Sequence, residues 1–280
     1  MSGTNRLGNF MAKLIVGDSR NMKELKDESV HLIITSPPYF DLKDYNQENT
    51  HNKDDQLGAP KTYEEYIANL NAVWKDCLRV LTPDGKICIN IMPVFLSGKE
   101  TIYNRRITRT VINDIETFMY STNLAFMHSL YIWDKRKSSR FSSFGSYPYP
   151  PNIFSTYPYE WIIVFSKIGK RKVKVSLEAK EKSKLTVEEW QKWAINSFWE
   201  MSPAKASKIG HPAPFPDELP RRLIKLYSFY GDTVMDPFVG SGTTVKVAED
   251  LGRKGIGYDI SPEYIELAKR RLAQEKLLKP

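Results

Sequence analysis

The apolar residues of this chain fall into short runs, and the runs alternate with helix-like stretches towards both ends. The strand-like runs are Lys13-Leu14-Ile15-Val16, His31-Leu32-Ile33-Ile34, Lys86-Ile87-Cys88-Ile89-Asn90-Ile91, Trp161-Ile162-Ile163-Val164-Phe165, Thr233-Val234-Met235 and Gly255-Ile256-Gly257-Tyr258. Runs of this length between helical periods predict an α/β sheet. Between residues 62 and 81, Tyr66, Leu70, Val73, Trp74 and Leu78 recur at the spacing of one helix face. The turn Thr82-Pro83-Asp84-Gly85 is expected to end that helix. Residues 219–230 and 262–272 repeat the pattern, with Asp217 and Ser261 standing where an N-cap would.

Two stretches break the alternation. Residues 95–160 are rich in Arg, aromatics, Ser and Pro, and residues 167–192 hold nine Lys/Arg against four Glu. Both are candidate nucleic-acid-facing surfaces, and the second reads equally well as a solvated charged lobe. The net charge of +8 changes the balance, because Lys and Arg that neutralise phosphates release counterions. At 280 residues, 41% hydrophobic and 26% charged, the chain suits one globular domain with or without a smaller lobe. No apolar run is long enough to cross a membrane as a helix, and no apolar leader with a small-residue cleavage site opens the chain. Two cysteines (Cys77, Cys88) and four histidines show neither a disulfide framework nor a metal-ligand spacing. The expectation is a cytoplasmic enzyme without a structural metal. Cys88 reads as packed in a strand. Trp190, Trp193 and Trp199 could stack on bases, with burial the preferred reading, and His211 reads equally as a contact or a structural residue.

Candidate chemistry sits at the two ends. Asp236-Pro237-Phe238-Val239-Gly240-Ser241-Gly242-Thr243-Thr244 follows an apolar strand directly, and the next strand ends at Asp259, seventeen residues beyond Gly242. A glycine-rich turn lets backbone approach a ligand, and an acidic residue at the end of the next strand suits ribose hydroxyls. Val245 stands where the dinucleotide fingerprint needs its third glycine, and no GK[ST] follows, so the turn fits an adenosine ligand without phosphates. A tight turn in any α/β protein would look the same.

Near the other end, Leu32-Ile33-Ile34 runs into Thr35-Ser36-Pro37-Pro38-Tyr39. The two prolines fix φ and remove two donors, which holds carbonyls and a Ser hydroxyl out as acceptors beside an aromatic ring. Acceptors for its N–H bonds favour a nucleophilic amino nitrogen, and Tyr39 could stack on an extruded base. A proline-rich turn after a strand is the plain alternative.

Together the two segments resemble a known family. Thr35 to Tyr39 resembles the (D/N/S)PP(Y/F) catalytic motif of amino-methylating DNA methyltransferases, and Asp236 to Gly242 their DPFxGSG cofactor motif. Val16-Gly17-Asp18 resembles the strand whose Asp meets the cofactor adenine. Val80-Leu81-Thr82-Pro83-Asp84-Gly85 resembles the LxPxG turn, and His211-Pro212-Ala213-Pro214-Phe215-Pro216 the segment before the cofactor helix. The catalytic motif comes first, as in the circularly permuted beta group, so the strand at Lys13 should lie beside the one ending at Asp259. Neither cysteine follows a proline, so the nucleophile of carbon-5 cytosine enzymes is missing.

The resemblance implies a Rossmann-like S-adenosylmethionine-dependent fold, with a mostly parallel seven-stranded sheet and a small target-recognition lobe. It divides the chain into a catalytic half (1–166), a target-recognition lobe (167–205) and a cofactor-binding half (206–280). It places S-adenosyl-L-methionine at Asp18, Thr35, Asp236, Pro237, Phe238, Gly240, Gly242 and Asp259, and catalysis at Ser36, Pro37, Pro38 and Tyr39. It implies double-stranded DNA with a specific short sequence as substrate. It leaves room for a cognate restriction endonuclease and for a homodimer, in a restriction-modification setting. Ser at position 36 is more usual for N4-cytosine enzymes and Asp for N6-adenine ones, which makes N4 of cytosine the expected acceptor and adenine the alternative. An RNA or protein methylase, or a non-catalytic DNA-binding module, would be the rivals outside that class.

Overall fold

Helix α1 (Tyr63–Val80) shows how the pattern becomes structure. Thr62 Oγ1 accepts a hydrogen bond from the Glu65 N–H at 3.1 Å, and Glu64 and Glu65 occupy the first turn, where the helix dipole favours negative charge. The stripe Tyr66, Leu70, Val73, Trp74 and Leu78 is buried. The helix passes straight into strand β3 (Leu81–Ile91) instead of ending in a separate turn. Thr82-Pro83-Asp84-Gly85 does turn, with Asp84 at φ 64°, but as an irregularity between the pairs Val30–Leu81 and Leu32–Lys86.

The computed structural model describes residues 12–40, 57, 60, 62–137, 148–149, 155, 157–203 and 216–278. Besides α1 and β3, its strands are β1 (Lys13–Val16), β2 (Val30–Thr35), β4 (Val94–Leu96), β5 (Ile107–Arg109), β6 (Ala125–Asp134), β7 (Tyr159–Lys167), β8 (Phe198–Glu200), β9 (Thr233–Asp236) and β10 (Lys254–Asp259). The remaining helices are α2 (Val111–Ser121), α3 (Leu177–Lys182), α4 (Val187–Glu189, continued by a π-helical turn, Trp190–Ile195), α5 (Glu218–Tyr227), α6 (Thr243–Asp250) and α7 (Pro262–Leu278). Eight strands form one sheet in the order β1-β10-β9-β2-β3-β7-β6-β8, while β4 and β5 pair separately. From β1 to β3 the neighbours are parallel; β7 and then β6 reverse direction, and β8 runs parallel to β6. The expected seven-stranded sheet thus gains the three-residue β8 at its edge.

Alternate residues of β2 enter different cores. Ile33 joins α1 and α2 through Trp74, Leu78, Ile115 and Met119; Leu32 and Ile34 join α5 and α6 through Leu223, Ile224 and Val247. Burial on both faces is why these strands read as unbroken apolar runs. Cys88 is buried in the second core with Trp193 and Trp199, while Trp190 is largely exposed. β1 pairs with β10, Leu14 opposite Gly257, and α7 packs nearby through Ile265 and Leu272, as the permuted motif order requires. Ser261 Oγ accepts from the Tyr264 N–H at 3.3 Å and caps α7, but the Asp217 carboxylate turns to Lys246 at 2.5 Å and caps nothing. Among the described residues, no helix is long and apolar enough to cross a membrane.

Candidate active site

β1, β10, β9 and β2 are parallel neighbours, so their C-terminal ends share one edge of the sheet. From that edge β9 leads through α6 to β10 on one side, and β2 leads through α1 to β3 on the other. The crevice between β9 and β2 is therefore a topological switch point, where open α/β sheets bind ligands.

Asp236 ties the two halves together there. It is 1% exposed, and its carboxylate accepts from Thr35 Oγ1 and Thr244 Oγ1, each at 2.8 Å, and from the Phe238 N–H at 3.0 Å. Burial pushes its pKa up to about 6, against these three donors. The side chains of Thr35 and Asp236 thus hold each other and shape the turn. Pro237 is fixed through its carbonyl, which accepts from the Ser19 hydroxyl, and Phe238 packs against the first core. Gly240 and Gly242 take φ of 47° and 84°, and a Cβ at Gly242 would come within 3.0 Å of Ala268.

Asp259 closes the other wall. Its carboxylate accepts from the Gly240 N–H and the Ser261 N–H, both at 2.9 Å, and burial pushes it up to about 6 in spite of them. The Gly17 N–H donates to the Asp259 carbonyl at 3.0 Å, which brings Asp18 to the same edge. Burial works against the Asp18 carboxylate, but Arg20, which meets it at 2.6 Å, holds it below the usual range.

On the β2 side, Ser36 Oγ lies 3.2 Å from the Tyr39 hydroxyl, and the Pro38 carbonyl accepts from the Tyr66 hydroxyl at 3.0 Å. Tyr39 is 7% exposed, so the ring surface expected to stack on a base is covered in this structure. Its hydroxyl donates to Glu160 Oε2 at 3.1 Å, and that carboxylate also receives Asn90 Nδ2 and Lys135 Nζ. Glu160, Asn90 and Lys135 are the site residues that the sequence reading missed. Their signal was a polar residue inside an apolar run at Asn90 and an acid opening one at Glu160.

The two basic stretches part company. Arg109 lies over the Tyr63 ring, which packs on Phe40, so the β4–β5 hairpin with its exposed Arg105 and Arg106 stands at the catalytic end. Lys170, Arg171 and Lys172 follow β7 at the opposite end, where Arg171 pairs with Asp232 at 2.6 Å and Lys172 with Glu28. A cavity of about 610 Å³ also opens there, between His31, Lys86, Arg171 and Lys225, remote from the crevice. Residues 211–215 lie outside the described residues.

A family model described as DNA methylase, of the N6/N4 type, matches residues 30–270. The chain belongs to the N6/N4 DNA methylase family. Within it, the chain is 36% identical to the type II methyltransferase M.MjaI of Methanocaldococcus jannaschii, over 89% of this chain and 86% of that protein. A Thermus thermophilus protein assigned as a DNA modification methylase, solved with S-adenosyl-L-methionine, superimposes with a TM-score of 0.74 at 30% identity, covering 95% of this chain and 94% of that one. The PvuII cytosine-N4-specific DNA methyltransferase shares the fold, with a TM-score of 0.61 at 22% identity, over 94% of this chain and 90% of that one. The expectation of an amino-methylating DNA methyltransferase, drawn from the two motifs, is borne out by the N6/N4 match.

Proposed function

We propose that this N6/N4 DNA methylase transfers a methyl group from S-adenosylmethionine to N4 of a cytosine extruded from a specific short sequence in double-stranded DNA. The observation that carries the reading is the Thr35–Asp236 hydrogen bond, which joins the Ser36 segment and the glycine turn into one crevice. The residues present fit the cofactor. Asp18 and Asp259 offer carboxylate oxygens on neighbouring strand ends, Gly240 and Gly242 place no Cβ at two positions of the turn, and Asp259 is a half-buried carboxylate with no ion pair among the described residues, its remaining lone pairs suited to ribose hydroxyls. When bound, S-adenosylmethionine supplies the methyl group on a sulfonium centre.

The chain's own residues orient the acceptor. Ser36 Oγ and the Pro37 carbonyl take the N–H bonds of the amino group, since the Pro38 carbonyl is already engaged by Tyr66. Much of the rate then comes from orientation and from acceptors placed on the amino group. Tyr39 acts through its hydroxyl on Ser36. The neutral Ser36, where a carboxylate could stand, favours cytosine. DNA phosphates meet the Arg105 and Arg106 side of the catalytic end, and a nuclease of matching sequence specificity is the partner this activity fits. DNA from cells expressing the protein, digested to nucleosides and analysed by mass spectrometry, should contain N4-methylcytosine. Finding N6-methyladenine would reassign the base, and finding neither would overturn the reading.

A further inference from the structure

Glu160 collects three donors. Lys135 Nζ reaches Oε1 at 2.5 Å, while Asn90 Nδ2 and the Tyr39 hydroxyl reach Oε2 at 2.5 and 3.1 Å. Glu160 itself is buried. Strand pairing puts it there: β7 runs antiparallel to β3, so the first residues of β7 lie beside the last residues of β3 at the catalytic end.

Hydrogen-bond direction follows from counting protons. An ionised carboxylate only accepts, and a phenol has one proton to give. Glu160 takes the proton of Tyr39, so the 3.2 Å contact must be donated by Ser36 to Tyr39. With its single hydroxyl proton directed there, Ser36 shows a substrate only lone pairs. Asn90 obeys the same logic. Its Nδ2 is held by Glu160, and its Oδ1 is left buried without a hydrogen-bond partner among the described residues. A buried acceptor without a donor is uncommon enough in folded proteins to require a reason.

We infer that Glu160 is a positioning residue that fixes the polarity of this hydrogen-bond chain, so that the site accepts a base edge carrying an amino group and rejects one carrying a carbonyl. The inference rests on the function proposed above and adds how that site tells amino from oxo, as cytosine from uracil or adenine from hypoxanthine. Against a carbonyl, Ser36 would set lone pairs against lone pairs, a repulsive element built into recognition.

Glu160→Gln tests this, because the amide keeps the shape yet can donate as well as accept, which lets the chain reverse. The target sequence is first read from DNA methylated by the parent enzyme. The variant should lose roughly ten- to a hundredfold in kcat, the equivalent of one hydrogen bond misdirected in the transition state, with KM for DNA and S-adenosylmethionine affinity unchanged. The preference for a duplex with the natural target base over one with its carbonyl counterpart should fall by about tenfold or more. In a Tyr39→Phe background, Glu160→Gln should add nothing further, since the chain is already cut. An unrelaxed preference, or the same loss of kcat in the Tyr39→Phe background, would overturn the inference. Should Glu160→Gln not fold, Tyr39→Phe alone must relax the preference, and an unrelaxed preference overturns the inference equally. A parent that methylates no amino group removes the proposed function and the inference with it; a methylating parent with unrelaxed variants removes the inference alone.

Discussion

In the proposed function, two tasks fall on the Asp259 carboxylate. Its bonds to the Gly240 and Ser261 N–H groups shape the glycine turn, and its remaining lone pairs serve the cofactor ribose in the proposed function. The ionised form is the acceptor. Burial raises its pKa to about 6, from an ordinary value of 3.8, so the acceptor is progressively lost as pH falls through about 6. Affinity for S-adenosylmethionine should therefore hold above about pH 7 and decline between about pH 7 and 5. For folding of the free protein the same raised pKa has the opposite sense: its contribution is most favourable below 3.8 and is lost as pH rises through about 6. Asp259→Ala should weaken cofactor binding by roughly 1–3 kcal/mol in calorimetry at neutral pH, and Asp259→Asn should flatten the pH dependence. Unchanged affinity in a folded alanine variant would remove Asp259 from the site. Ser36, Asp236 and Asp259 were legible in the sequence because each belongs to a contiguous strand-and-turn string. Glu160, Asn90 and Lys135 were not, because only the pairing of β3, β7 and β6 brings them together.

At the scale of elements, strand direction decides which basic stretch can serve the crevice. β7 is antiparallel to β3, so it delivers Glu160 to the catalytic end and carries Lys170 and Lys172 to the far one. Reversing the charges of Arg105 and Arg106 should flatten the salt dependence of DNA binding, by about one unit of slope for each phosphate no longer neutralised. Reversing Lys170 and Lys172 should leave the slope as it is; the converse result would put DNA at the opposite end of the sheet. Arg171 is a poor choice for this experiment, since its partner Asp232 is buried and losing the pair would disturb the fold. β6 escaped the sequence reading for a related reason. It alternates buried and exposed positions, leaving Phe126 and Leu130 44% and 41% exposed, so no unbroken apolar run marks it. The inner strands, buried on both faces, were plain.

At the scale of the whole molecule, β1 and β10, the first and last strands in chain order among the described residues, are neighbours in one sheet. β1 fits beside β10 in parallel register, and α7 packs with Leu14 against it. The order of the two motifs was enough to foresee that seam, because a parallel sheet has one place for the missing neighbour of β10. A chain that starts at residue 206, with residue 280 joined to residue 1 by a flexible linker, should fold and bind S-adenosylmethionine as the parent does. Circular dichroism and calorimetry would check this, and loss of either fold or binding would show the seam to be more than a joint.

Lys135, just after β6, pairs with Glu160 near the start of β7, and its N–H donates to the Pro158 carbonyl at 2.9 Å. The segment between them, residues 136–157, is therefore fastened at both feet. A segment fastened in this way is a cassette. Its length can change at small cost, since loop-closure entropy grows slowly with length, while the clasp at its base stays shut. That clasp is also the one that holds Tyr39. Altering that segment and preserving the contact between Tyr39 and Ser36 thus become separate operations, one on each side of a single ion pair.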